Sequence, residues 1–385
     1  MEYPKTPRQA EFMALADRLA EQIAVRAPEH DREGTFPHEA YQLLHKSGYL
    51  ALTVPEEYGG RSATPLELAL AQSRLARGDG SVGLGSTMHL HLVGRLATLR
   101  SWPEEQFACL CREIVATGAL INSAASEPAL GSPQRGGLPA TTATRIPEGW
   151  RIDGQKSWTT LSPGLRYAIV AAAIHEEGTE PRRANFLVPM GAPGVRVEET
   201  WDNLGMRATG SNDVFFKGVI VGEDALLPGD DQARGGDPRG WPNVIGAVYH
   251  GIGIAARDFA VHYAQNRRPS GLSGPIAELP AIQQRIAEIE LLLMQAGAIY
   301  FGALEEWEAH PDRHNDLAWK LAAGKYLTTN NAIKVTDLAL RVTGSVGLQR
   351  SQPLERYFRD VRAGLGNPPA DDVALTMIGK AALGL

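Results

Sequence analysis

Cysteine is nearly missing from this 385-residue chain. Cys109 and Cys111 are the only two, set two apart in a helical pattern and so on different faces, which excludes a disulfide framework and suggests no metal cluster. No CxxC occurs either, and no metal is expected. Charged residues make up 21% of the chain, with no block of either sign and a formal net charge of -6. That is not the basic footprint of a nucleic-acid or membrane-surface protein. No uninterrupted apolar run reaches the ~18 residues of a membrane span. The opening MEYPKTPRQAEFMALADRLAEQ patterns as an amphipathic helix rather than a signal core. A cytoplasmic protein acting on a small molecule, with neither nucleic acid nor membrane as partner, is the expectation.

The hydrophobic pattern divides the chain into three parts. Phe12, Leu15, Leu19 and Ile23 recur at helical spacing, and STMHLHLVGRLATLR is apolar almost all round, the mark of a buried helix. Short alternating segments follow: WRIDGQKSW, with Asp153-Gly154 as a hairpin signal, then RYAIVAAAIH, ANFLVPM, GVRVEETW and DVFFKGVIVG. PGDDQARGGDPRGWP, 228–242, reads as a linker. Long helical periods return beyond it. The fold class is therefore α+β, with a helical N-terminal domain over 1–119, an antiparallel, β-barrel-like domain over 120–228 and a four-helix bundle over 240–385.

Several local motifs stand in a fixed order: SEPALGS (126–132), GQKSWTT (154–160), LGMRATGSNDVFF (204–216), YAQNRRPSG around Arg267, and Gly344-Ser345-Val346-Gly347 before RYFRDVRAGL. Together they resemble the acyl-CoA dehydrogenase family over essentially the whole chain. The resemblance implies a flavin, FAD with FMN not excluded, contacted by Ser123, Ser126, Gly131, Ser132, Trp158, Thr159 and Thr160. It places Arg207 and Ser211 on the substrate side. It gives Arg267 to the diphosphate of a flavin shared with a neighbouring subunit, keeps Gly344 and Gly347 as further cofactor-binding positions, and hence implies a homodimer or homotetramer. Ser270 replaces the phenylalanine of that motif, and Arg341 a usual glutamine. The implied reaction is α,β-dehydrogenation of an acyl-CoA-type thioester, with hydride transfer to FAD N5 and an electron-accepting flavoprotein as partner.

One part of the resemblance fails. The family's Tyr-Glu-Gly-Thr turn, whose glutamate removes the α-proton, falls on Asn367, Pro368, Pro369 and Ala370, and the other position used for a base falls near Trp241 and Pro242. A positioned base contributes about 10²–10⁴-fold to such a step. Asp371 and Asp372 follow closely, but a Pro-Pro-Ala-Asp-Asp run before an apolar helix reads first as a helix cap. His89, His91 and His250 lie in helices expected to wall the pocket, where a lone histidine is more often a satisfied core residue. Asp371 and His91 are thus the candidates for an otherwise unassigned catalytic group. The missing glutamate is shared with a subset resembling dibenzothiophene monooxygenase, which takes reduced flavin from a reductase and uses O2. That two-component monooxygenase is the alternative, and a non-catalytic flavin-fold partner subunit is a second one.

Overall fold

The computed structural model of the chain describes residues 3–130, 137–175, 180–229 and 232–385. Helix α1 (Pro7–Ala24) starts where Thr6 accepts the N–H of Gln9 and Pro7 needs no partner. Phe12, Leu19 and Ile23 are buried on its inner face, with Leu15 half-buried. Helices α2 (Ala27–Glu33) and α3 (His38–Lys46) lead to α4 (Pro65–Leu75), which opens on a reciprocal Thr64–Glu67 capping box. Helix α5 (Gly80–Leu99), capped by Asp79 on the N–H groups of Ser81 and Val82, is buried over most of its surface. On α6 (Glu104–Thr117) Cys109 is exposed and Cys111 buried.

An eight-stranded sheet follows, in the order β6-β7-β3-β2-β4-β5-β8 with β1 beside β4. The strands are β1 (Leu120–Ala124), β2 (Thr142–Ile146), β3 (Gly149–Thr159), β4 (Leu165–Ile174), β5 (Arg182–Pro189), β6 (Val195–Glu198), β7 (Asn212–Val221) and β8 (Leu226–Leu227). Two features correct the sequence reading. The sheet is open rather than a barrel: among the described residues its end strands β6 and β8 do not pair with each other, and β4 takes β1 and β2 in parallel. It folds instead around Trp150, Phe186 and Phe216. Asp153-Gly154 is no hairpin either. It lies inside β3, at a shift in the β3–β7 register, where a Cβ on Gly154 would stand 2.5 Å from Thr141 Oγ1. The β2–β3 turn comes at Pro147-Glu148, between paired Ile146 and Gly149.

The C-terminal part packs α7 (Gly246–Asn266), α8 (Pro280–Ala309) and α9 (His314–Thr343) pairwise. Short α10 (Pro353–Asp360) follows, then α11 (Asp371–Leu383), which lies on α9 and buries only Ala374. The segments Pro242–Asn266 and Pro280–Ala309 are long and apolar enough to cross a membrane by length and composition. The most apolar window of the first is 72% buried inside the protein, that of the second 33%.

His89 and His250 tie these layers together. His89 Nε2 donates to Leu50 O at 3.0 Å and its Nδ1 accepts Ile121 N–H at 3.2 Å, so the ring is neutral and fully used. Burial pushes both histidines down to about 4. A base held below its unfolded value keeps its full stability contribution above about pH 6.5 and loses it as pH falls toward 4. Acidification over that window is expected to cost on the order of 3 kcal/mol for each ring. Urea midpoints of the protein and of His89→Gln at pH 7 and 4.5 check this; equal pH slopes would contradict it.

Candidate active site

The site is built where β3 leaves the sheet. Ser157 N–H donates to Ser126 O at 3.0 Å, which joins the SEPAL loop to the strand. Glu127 turns inward, its Oε1 2.6 Å from Lys156 Nζ, and takes the N–H groups of Ala140 and Thr141. With its neighbours turned in, Trp158 is thrown outward at φ +54° and left 68% exposed. It walls a cavity of about 430 Å3 with Pro128, Ser157, Trp201, Asn203 and Ser211. An exposed indole held in a disfavoured backbone conformation suggests a functional surface.

Beside it runs a chain of hydroxyls. Thr160 Oγ1 lies 2.8 Å from Ser211 Oγ, which lies 2.8 Å from Thr209 Oγ1, which reaches Met206 O at 3.0 Å. Asn122 Nδ2 holds the Thr160 carbonyl at 3.0 Å. Thr159 Oγ1 is buried with no hydrogen-bond partner among the described residues. Ser123 is exposed and Ser126 half-buried; Gly131 and Ser132 lie outside the described residues.

Arg207 is committed elsewhere in the protein. Its Nε donates to Asp31 O at 2.8 Å, and its Nη1 to Asp202 Oδ1 and Asn203 O at 3.0 Å each. It thereby braces the cavity loop against α2. Asp360 takes the N–H of Met206, and Arg359 joins Asp31, Glu355 and Leu204 O across the same seam. Arg267 is exposed at the end of α7. Gly344 has φ +60°, and a Cβ on Gly347 would stand 2.2 Å from Thr343 Oγ1. Arg267, Gly344 and Gly347 do not line the cavity beside Trp158.

The segment expected to carry a base carries none. Lys325, fully buried on α9, donates to the carbonyls of Gly364, Asn367 and Pro369 at 2.8, 2.8 and 3.0 Å. Burial lowers its ammonium to about 8, with Asp371 opposing. The cap expected of Asp371 is absent: Ala370 is the N-cap, without a side-chain bond, and Asp371 Oδ2 instead accepts Asn330 Nδ2 at 3.1 Å while Oδ1 is buried without a partner among the described residues. The acidic pair Asp371 and Asp372 lies in the first turn, where negative charge is favoured by the helix dipole. His250 accepts Ser73 Oγ–H at 3.0 Å in the core. His91 is half-buried on α5, its Nδ1 without a partner among the described residues, and burial pushes the ring down to about 4. Sequence reasoning missed Lys325, Tyr249 and Asn122. Lys325 was detectable, since Leu317, Leu321, Lys325 and Thr328 form one buried helical stripe in which a lysine needs a reason.

Comparison with known proteins agrees along the chain. Family models for the acyl-CoA dehydrogenase N-terminal, middle and C-terminal domains match residues 6–108, 122–219 and 243–366. A putative acyl-CoA dehydrogenase from Bacillus subtilis, YdbM, is 41% identical over 368 residues, 96% of this chain and 95% of its own. The amino sugar nitrososynthase DnmZ of Streptomyces peucetius is 29% identical over 380 residues, 94% and 90% of the two chains. Among solved structures, dibenzothiophene monooxygenase TdsC from Paenibacillus sp. A11-2, in complex with FMN and indole, superposes with a TM-score of 0.86 at 26% identity, covering 97% of each chain. The residues present fit a flavin: Trp158 offers a planar ring at the cavity wall and Thr159 an unspent buried hydroxyl.

Proposed function

The chain belongs to the acyl-CoA dehydrogenase family, and from that premise we propose that it is a flavin enzyme using reduced flavin and O2 to oxygenate a small molecule. One observation carries this reading. The turn at Asn367, Pro368, Pro369 and Ala370 holds no carboxylate, and one oxygen of the nearby Asp371 is taken up by Asn330. Desaturation of a thioester needs a proton removed from carbon; oxygen transfer does not need that base. Bound reduced flavin supplies two electrons, so that O2, two electrons and two protons put one oxygen atom on the substrate and release the other as water. The chain's part is to stack Trp158 on the cofactor, offer the Thr160–Ser211 hydroxyls and hold a shaped cleft. A flavin reductase is then the implied partner.

Acyl-CoA dehydrogenation, with an electron-accepting flavoprotein, is the second reading, favoured by the 41% identity to YdbM. Anaerobic titration of the flavin-loaded protein with acyl-CoAs of several chain lengths separates the two. Oxygenation predicts no bleaching of the flavin band, and O2 uptake once reduced flavin is supplied; bleaching by any acyl-CoA would establish dehydrogenation.

Two further expectations attach to this reading. Arg267 has no ion-pair partner among the described residues, and a guanidinium suits a diphosphate by charge and fork geometry. Arg267→Ala is expected to weaken FAD about tenfold and FMN hardly at all, as read by fluorescence titration; equal losses would remove the diphosphate role. The outer face of α8 exposes Leu291 and Met294 at 65% and 66%, which supports a homodimer or homotetramer. Sedimentation of Leu291→Glu is expected to shift toward the monomer.

A further inference from the structure

A second cavity, of about 380 Å3, opens between α1, α4, α7 and α8 and shares no lining residue with the one beside Trp158. Met13, Leu70, Ile254, Leu293 and Phe301 give it apolar walls. Ser73, Arg74, His250, Arg257 and Glu290 bring polar groups to the same space. A largely apolar cavity of this size, with a few converging polar groups, is the usual form of a small-molecule site.

The two arginines differ in how far they are spent. Arg257 pairs with Asp258 at 2.8 Å and with Glu290 at 2.5 Å. Arg74 is held loosely: its one ion pair among the described residues, Nη1 to Asp17 Oδ2, is 3.7 Å long, beyond hydrogen-bond reach. Its guanidinium makes no hydrogen bond among the described residues.

His250 is only 8% exposed, yet it lines the cavity. The Leu293 carbonyl on the Nε2 side can only accept, so the ring hydrogen is on Nε2 and Nδ1 accepts the Ser73 hydroxyl at 3.0 Å. That carbonyl belongs to the α8 ladder, so the Nε2 hydrogen has no acceptor to itself. A Cβ on Gly297 would stand 3.0 Å from Nε2, and the bare glycine leaves the N–H reachable. Burial lowers this ring to about 4, and Arg74 and Arg257 push the same way with no carboxylate opposing them. The field at Nε2 is therefore positive despite Glu290, and it favours an anion there.

We propose that this cavity is a second ligand site, taking a small carboxylic acid whose carboxylate lies against Arg74 and the His250 Nε2–H and whose apolar body lies between Leu70 and Phe301. Charge-assisted bonds select the carboxylate over a neutral amide. The apolar walls select an acid with a hydrocarbon body over a bare one. A bound acid joins α4 to α7 and α8, and so ties the N-terminal helices to the bundle. The site goes beyond the oxygenation reading and does not depend on it.

Phenylacetate and phenylacetamide test this, since they share a shape and differ in charge. Each is titrated calorimetrically into the protein with and without FMN. Phenylacetate is expected to bind about tenfold tighter in both cases, and acetate to bind far more weakly than phenylacetate. Arg74→Gln should bring the ratio to about one while leaving phenylacetamide unchanged, and Asp17→Asn, which removes a competing carboxylate, should raise it. The Arg74 and Asp17 side chains are 34% and 42% exposed and loosely paired, so both variants should fold as the parent does. A wild-type ratio near one, a ratio that survives Arg74→Gln or falls with Asp17→Asn, acetate binding as tightly as phenylacetate, or binding of neither probe overturns the proposal. Loss of phenylacetate binding in the presence of FMN also overturns it, because the acid would then occupy the cavity beside Trp158.

Discussion

Exchanging Lys156 for methionine is expected to cost about 3–5 kcal/mol of folding stability. The Lys156 and Glu127 side chains are 0% and 2% exposed and their charged atoms lie 2.6 Å apart. Methionine fills the volume but leaves Glu127 a buried anion with only the Ala140 and Thr141 N–H groups. Burial pushes the Glu127 carboxyl up, yet its bonds to Lys156, Thr141 and Ala140 outweigh that and hold it below the usual carboxylate range. The sign with pH follows. A depressed carboxylate contributes fully above its unfolded value and loses that contribution as pH falls through the folded one. The penalty of Lys156→Met should therefore be largest near neutrality and shrink in acid, where the orphaned carboxyl is protonated. Urea unfolding at pH 7 and 4 measures both. A loss of under ~1 kcal/mol, the scale of an exposed pair, would mean that Glu127 finds another partner, and that the pair does not hold the Trp158 wall in shape.

Features that depend on repeating local chemistry were legible in the sequence. The α1 stripe, the all-round burial of α5 and the different faces of Cys109 and Cys111 follow from periods and propensities, and the structure has them. What was misread depends on contacts far along the chain. Asp153-Gly154 carries a turn signal, yet Gly154 serves a register shift against β7 and the close approach of Thr141. Asp371 looks like a cap because Pro-Pro-Ala-Asp-Asp precedes an apolar helix, but Asn330, 41 residues upstream, claims the carboxylate. No pattern near Asn367 announces that Lys325 will occupy its carbonyl, 42 residues away. The loss of a base at this turn could be seen in the sequence; what replaces it could not.

Trp158→Gly is expected to move stability and flavin binding in opposite directions. Trp158 sits at φ +54°, where a Cβ crowds the backbone at a cost of roughly 1–2 kcal/mol. Glycine lifts that cost, although its greater freedom in the unfolded chain returns part of it. Because the indole is 68% exposed, its removal forfeits little burial. The ligand-free variant should thus unfold no earlier than the parent, and later by up to ~1 kcal/mol. Flavin should suffer, since stacking a planar ring on an indole contributes about 1–3 kcal/mol, so FMN affinity is expected to fall roughly 10–100-fold. Trp158→Ala separates the effects: it should lose the same affinity and keep the backbone strain. Thermal unfolding without ligand and fluorescence titration with FMN give the two numbers. If Trp158→Gly lowered stability and left FMN affinity intact, Trp158 would be a packing residue, and the left-handed backbone would need another cause.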